Sequence, residues 1–349
     1  MATTREKQAQ ALLDKQAIWD RIMLYARGID RRDWDLVRSC FSDGAVDEHG
    51  AFNGPLDEFV PWIQEASARY SMTMHTVGNV QIELDGDTAH AETYVTAYHR
   101  LPERNGEPRK DFMVGARWND RLDHHEDDWL ISHRQVVWDW NKIEPVGREW
   151  DFNENYITAR RDRQDPVYDR PAFSPNFQRP TDLAGRIQEL RDKQTIKEAL
   201  YRYCRGVDRL DPELIRSCYY PDATDDHGTY QGDRDGFVRH AGDGLATMLG
   251  TMHFIGNVLV DVQDTVAYSE SYCVAYHRMP SRKMGEAEHL VACRYVDRFE
   301  RRAEMPWKLG DRTVAYEWSR IDPVGQQDEF GPSFQRGQRN KSDLIYQHS

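Results

Sequence analysis

The segment IWDRIMLYARGIDRRDWDLVRSCFSDGAVDEHGAFNG, residues 18–54, is matched without a gap by IKEALYRYCRGVDRLDPELIRSCYYPDATDDHGTYQG, residues 196–232. The same offset, from 18 to 196, persists through MHTVGN (74–79) and MHFIGN (252–257), and through AYHR at 97–100 and 275–278. WLISHRQVVWDWNKIEPVG (129–147) and WKLGDRTVAYEWSRIDPVG (307–325) keep it as well. A period this long is a whole domain, since solenoid units repeat at roughly 20–50 residues. The division expected is a first domain at 1–180 and a second at 181–349. Residues 148–180 are expected to be an irregular arm of the first copy, rich in Pro and charge, and its segment from 148 to 173 is read as having no counterpart in the second. SPNFQRPTDL (174–183) is read as the match of GPSFQRGQRNKSDL (331–344).

Within one copy the pattern changes once. Leu13, Ala17, Ile18, Ile22, Tyr25 and Ile29 recur at helical spacing and predict a helix over 10–30. A short second helix follows at 33–41, ending near the turn SDGA, and a third at 56–70 carries Phe59, Trp62, Ile63 and Ala66 on one side. From His75 the period is two. VQIEL, the turn DGD and AHAETYVTAYHR read as one hairpin; DFMVGARWNDRL and WLISHRQVVWDWNKI read as another. Helices first and a meander after them predict an α+β class, with helices packed on the concave side of a curved antiparallel sheet. A cone of this kind opens at one end, where a pocket forms.

Composition narrows the function. The 349 residues carry a net charge of −13, which repels polyanions and argues against nucleic acid and anionic membrane as partners. No run approaches the roughly 20 apolar residues of a membrane helix. The N-terminus, MATTREKQAQALLDKQ, lacks an apolar signal core, so a cytoplasmic location is expected. Five cysteines without a CxxC pair predict reduced, mostly buried thiols. Ten Trp and 17 Tyr exceed what two such cores need and predict an aromatic-walled cavity.

YARGID (25–30) and YCRGVD (203–208) each place a tyrosine five residues before an aspartate on the first helix, while the histidines of MHTVGN and MHFIGN open a strand. An imidazole can take and return a proton near neutral pH when one ring nitrogen is pinned by a carboxylate. Asp30 with His75, and Asp208 with His253, are therefore the candidate dyads; the plain alternative is a histidine that caps a strand. Tyr25 and Tyr203 either donate to a developing oxyanion or are core tyrosines. His49 in DEHG and His227 in DDHG either polarise a substrate oxygen or merely precede a turn. On the 94–99 strand, alternation puts Val95, Ala97 and His99 on one face and Tyr94, Thr96 and Tyr98 on the other, without fixing which faces the cavity. Arg134 among apolar neighbours requires a partner, either a carboxylate or a substrate oxygen. His49, His75 and His99 with an aspartate also admit a two-His metal site, but the ligands come from distant segments without HxH or HExxH spacing. HHEDD (124–128) reads as a solvated loop. Glycine fingerprints for dinucleotides, a P-loop and a GxSxG elbow are absent.

The order of these motifs resembles the SnoaL-like branch of the NTF2-like superfamily: Y-x4-D on the first helix, a short strand with DEHG, H-x3-N after the third helix, and a final hairpin with Arg and Trp. The likeness covers nearly all of both copies. It implies two tandem NTF2-like, cone-shaped α+β barrels, close to the group of scytalone dehydratase, bile-acid 7α-dehydratase and hexachlorocyclohexane dehydrochlorinase. That group implies a cofactor-independent lyase. By position it implies catalytic roles for His75, Asp30, Tyr25, His253, Asp208 and Tyr203. It implies substrate contacts from His49, His99 and Arg134, and from His227, His277 and Arg312. Trp118, Trp138 and Tyr316 are read from their aromatic character alone, either as core or as walls of the pocket that contact the substrate. No metal ligand is implied. His49 stands where the dehydratases carry a tyrosine, which leaves the polarising group open. The expected partner is a small hydrophobic substrate, aromatic or cyclic and hydroxylated, which would be dehydrated or cleaved at a carbon–carbon bond. Isomerisation of the ketosteroid-isomerase kind and a non-catalytic binding or assembly role are the alternatives. The two domains are expected to form an intramolecular pseudo-dimer, and the chain a homo-oligomer.

Overall fold

The computed structural model describes residues 3–126, 128–170, 180–327 and 334–347. It divides into two compact units: Met1–Val146 with Arg160–Arg191, and Gly147–Ala159 with Asp192–Ser349.

In the first unit, helix α1 (Thr4–Arg31) starts ahead of the apolar stripe because Thr3 and Glu6 form a reciprocal capping box. It ends at Arg32, which adopts a left-handed conformation, φ 53°. The short helix α2 (Trp34–Ser39) is capped by the Asp33 side chain, and α3 (Leu56–Ala68) buries Leu56, Phe59 and Val60. The sheet is built from β1 (Phe41–Glu48), β2 (Asn53–Pro55), β3 (Met72–Asp85), β4 (Thr88–Leu101), β5 (Lys110–His125) and β6 (Asp128–Pro145), in the order β2-β1-β6-β5-β4-β3.

The second unit repeats this with α4 (Leu183–Asp208), α5 (Pro212–Ser217), β7 (Tyr219–Asp226), β8 (Gln231–Asp233), α6 (Arg234–Ala246), β9 (Gly250–Gln263), β10 (Val266–Ser281), β11 (Gly285–Glu300) and β12 (Lys308–Pro323). Its order is β8-β7-β12-β11-β10-β9. The α+β class with helices covering one sheet face is as expected. The barrels are not: neither six-stranded sheet closes, and each is mixed, because β1 runs parallel to β6 and β7 parallel to β12.

Two local readings are corrected. SDGA is not a turn that ends a helix. It lies inside β1, where Gly44 at φ 74° accommodates a bulge between Phe41 and Val46. The later part of the arm, 159–169, is not peculiar to the first copy. Arg161 donates to the Tyr70 carbonyl at 2.8 Å, and Arg339, its counterpart in the second copy, donates to the Met248 carbonyl at 2.5 Å. Tyr168 donates to Asp33 as Tyr346 donates to Asp211, both at 2.8 Å. The repeat thus continues ungapped through 159–169 and 337–347. Its sequence similarity is thin there because only the anchoring Arg, Asp and Tyr are kept. The residues around SPNF (171–179), and those at 328–333, lie outside the described residues.

The repeated glycine in YARGID and YCRGVD has a packing cause. A Cβ at Gly28 would stand 2.8 Å from Val37 Cγ2 and 3.1 Å from Val37 N; at Gly206 it would stand 2.7 Å from Ile215 Cγ1. Only glycine lets the second helix cross this close to the first.

Candidate active sites

Alternation along the strands places every inward side chain on the sheet face that the helices cover. On β4, Val95, Ala97 and His99 point inward, and Tyr94, 46% exposed, points away. Strand pairing aligns Thr73 with His99, His75 with Ala97 and Asp120 with Arg134, so the polar groups gather under α1. The bulge between Val77 and Val80 interrupts β3 just after His75. It turns Asn79, the last residue of H-x3-N, out to solvent and away from the site.

Asp30 is fully buried, and its carboxylate accepts from Thr73 Oγ1 at 3.0 Å, from the His75 backbone N–H at 2.9 Å and from His75 Nδ1 at 2.7 Å. Burial alone would raise its pKa. The His75 ring, its backbone N–H and Arg31 outweigh burial and hold the carboxyl below the ordinary carboxylate range. Asp208 accepts from the His253 N–H at 2.9 Å and from Nδ1 at 2.7 Å, and its pKa is likewise lowered. His253 is correspondingly raised: burial opposes the cationic form, but the bond to Asp208 prevails. With Nδ1–H donating to the carboxylate, Nε2 carries the lone pair in both dyads; this tautomer follows from the hydrogen-bond network.

A second His–Asp pair stands in each site. His49 Nδ1 lies 3.1 Å from Asp47, and His227 Nδ1 is bonded to Asp225. Asp47 and Asp225 are buried, each at the register position opposite the buried arginine of the neighbouring strand. DEHG and DDHG held this signal in sequence: carrying the strand's alternation one residue past its end puts each histidine on the face of the aspartate two before it. In the second site the pair extends to Tyr203, whose hydroxyl is 3.2 Å from His227 Nε2. Tyr25 and Tyr203 are buried, and burial drives both phenols upward in pKa, so they stay protonated donors.

His99 and His277 each meet the dyad histidine edge to face, with ring centroids 5.4 Å apart. Burial first, and then the neighbouring dyad histidine, push both down to about 3. They are neutral at physiological pH. A third histidine, His289, lies beside His277 at 5.8 Å and is pushed down to about 4 by burial. Sequence reading overlooked His289 because Phe112 pairs with His99 at the same register in the first copy.

Arg134 and Arg312 do not contact the cavities. Arg134 forms two 2.7 Å hydrogen bonds to Asp120, and Arg312 binds Asp297 at 2.8 and 2.7 Å, all four side chains being fully buried. Their guanidinium groups lie 3.9 Å from the Tyr25 ring centroid and 4.2 Å from that of Tyr203. The substrate-binding expectation for these two is thus replaced by support from beneath.

Each dyad opens onto a cavity. The first, about 160 Å³, is lined by His75, His99, Tyr25, His49, Trp118 and Trp138, among others. The second, about 380 Å³, is lined by His253, His277, Tyr203, His227, Tyr295 and Tyr316, with further aromatic groups. Among the described residues, no three His, Cys, Asp or Glu side chains are grouped to hold a metal ion.

A model of the SnoaL-like domain matches residues 10–135 and again residues 188–313. The chain belongs to the SnoaL-like domain family. Both matches of this SnoaL-like protein contain a complete Asp–His dyad. A curated relative is the uncharacterized protein Rv2910c of Mycobacterium tuberculosis, 23% identical over 124 residues, which are 35% of this chain and 82% of that one. Solved structures similar to it include the hexachlorocyclohexane dehydrochlorinase LinA-type3 from Novosphingobium barchaimii, at 15% identity and a TM-score of 0.36, covering 42% of this chain and 99% of that one. The Kfla4162 protein from Kribbella flavida is 20% identical, with a TM-score of 0.34, covering 37% of this chain and 93% of that one. Among the described residues of the SnoaL-like chain, no helix is long and apolar enough to cross a membrane.

Proposed function

We propose that the chain is a cofactor-independent lyase acting on a small, largely apolar, hydroxylated aryl or cyclic substrate, with His75 and His253 as general bases steered by Asp30 and Asp208. The observation that carries this reading is the duplicated 2.7 Å bond between a buried carboxylate and Nδ1 of a histidine on a cavity wall. Such a carboxylate fixes the tautomer and stabilises the imidazolium formed when Nε2 takes a proton.

In a dehydration, Nε2 takes a C–H proton, the electron pair becomes a C=C bond, and the C–O bond breaks. The departing hydroxide takes a proton from a nearby donor and leaves as water; in this reading Tyr203 supplies it in the second site, supported by its hydroxyl standing 3.2 Å from His227 Nε2. In a retro-aldol cleavage the base takes the proton of a hydroxyl, the O–H electron pair becomes C=O, and the C–C bond breaks toward a stabilised carbanion. Both reactions draw on the same base and donor. The neutral rings of His99 and His277 suit a substrate hydroxyl without adding charge to the cavity.

The test is turnover of a panel of hydroxylated aryl compounds by His75→Gln, His253→Gln and the double variant, with no cofactor added. The reading expects each single variant to lose one component of the activity and the double variant to lose all of it, with the melting temperature kept. Full turnover by the double variant would refute it.

A further inference from the structure

The two cavities are walled differently. In the first unit, Trp62 and Trp138 fill the space near His49, at ring-centroid distances of 5.7 Å each, and Phe52 stacks on Trp62 at 5.3 Å. In the second unit the corresponding positions are His240, Tyr316 and Tyr230. Two indoles are gone, and the cavity grows from about 160 to about 380 Å³.

The opened side is closed by another piece of chain, residues 147–159. Strand β12 pins it at both ends: Arg148 bridges Ile321, and Thr158 bridges Tyr316. The Trp150 N–H also donates to Ser319 Oγ at 2.8 Å. Between these anchors Trp150, Phe152 and Tyr156 line the cavity. Trp150 stacks on His289 at 5.2 Å and 12°, and its indole N–H donates to the Tyr156 hydroxyl at 3.0 Å. Phe152 and Tyr156 pack on Tyr316 at 5.0 and 5.1 Å. The close approach needs Gly228, at φ 74°, where a Cβ would stand 2.5 Å from the Tyr156 ring.

A cavity of about 150 Å³ accommodates one benzene-sized ring. The first site is of that scale, and the second is more than twice as large, with a mostly apolar and aromatic lining around its histidines. We propose that residues 147–159 are the specificity wall of the second site. With them this site takes a two-ring aryl ligand, one ring over the dyad and the other against Trp150 and Phe152, while the first site takes a single ring. This rests on the reading of the cavities as substrate sites.

The experiment is calorimetric titration of the full chain with phenol and with 4-phenylphenol, on the wild type and on Trp150→Ala combined with Phe152→Ala, which leaves the pinned backbone intact. Phenol binds two sites per chain and 4-phenylphenol binds one. The double variant weakens 4-phenylphenol at least tenfold and leaves the phenol affinity of the first site unchanged. Gly228→Ala, which displaces Tyr156, weakens 4-phenylphenol in the same direction. Two equivalent 4-phenylphenol sites, unchanged affinity in the double variant, or no binding of either probe would overturn the proposal. Its failure is distinguishable from failure of the lyase reading, which shows instead as turnover retained without His75 and His253.

Discussion

Asp208 Oδ1 lies 2.7 Å from Nδ1 of His253, and the same distance separates Asp30 from His75 in the first copy. Replacing either aspartate by asparagine keeps the shape and removes the charge that stabilises the imidazolium. Asp208→Asn is expected to lower turnover at the second site by roughly 10²-fold or more. It should also move the acid limb of the pH–rate profile to lower pH, because the bond to Asp208 is what raises His253. The pH dependence of kcat/KM in wild type and variant measures both.

Stability should fall on mild acidification. His99 and His277, pushed down to about 3, and His289, pushed down to about 4, are neutral when folded but bind a proton near pH 6.5 when unfolded. Their depressed values make this contribution complete above about pH 6.5 and drain it as the pH falls toward 3. Asp30 and Asp208 add a further loss only lower, below the ordinary carboxylate range. Melting temperatures between pH 7.5 and 5 should therefore decline, and His277→Gln with His289→Gln should flatten the decline. A wild-type Tm constant over that range would count against the burial of these rings.

Gly28→Ala and Gly206→Ala should each destabilise. The added methyl meets the backbone and side chain of Val37 or Ile215, an overpacking cost of about 1–3 kcal/mol. Better helix propensity returns about 1 kcal/mol. A lower denaturation midpoint in urea is expected for both, without loss of the dyad.

Arg134→Ala and Arg312→Ala should cost stability before anything else. Each leaves a fully buried aspartate, Asp120 or Asp297, without its bidentate partner, a loss of about 3–5 kcal/mol. Chemical denaturation checks this; an unchanged midpoint with weakened substrate binding would restore the direct substrate role that the sequence suggested.

The fold was legible because the repeat doubled every weak signal, and because the change from helical to twofold period falls at one place. The dyads were legible because both members recur at one spacing. What escaped depends on tertiary facts. Alternation shows that Val95 and His99 share a face, yet only α1 lying on that face decides that it is the inner one. Arg134 beside Val136 needed a partner, and whether Asp120 or a substrate supplied it turned on cross-strand register. The parallel pairing of β1 with β6 joins segments from opposite ends of the first copy, so an open mixed sheet was not legible along the chain. The wall made by residues 147–159 has no periodicity, and its partners on β12 are remote in sequence.

The central claim is that a buried carboxylate fixes each dyad histidine with Nε2 as its basic nitrogen on the cavity side. Nitrogen-15 NMR of the histidine side chains in the full chain, assigned with His253→Gln and His75→Gln, tests it without any substrate. The account predicts Nδ1 protonated and Nε2 bare in the neutral form of both rings, with His253 titrating above the ordinary imidazole value of 6.5. A bare Nδ1 in either dyad, or a His253 that titrates below 6.5, would contradict it.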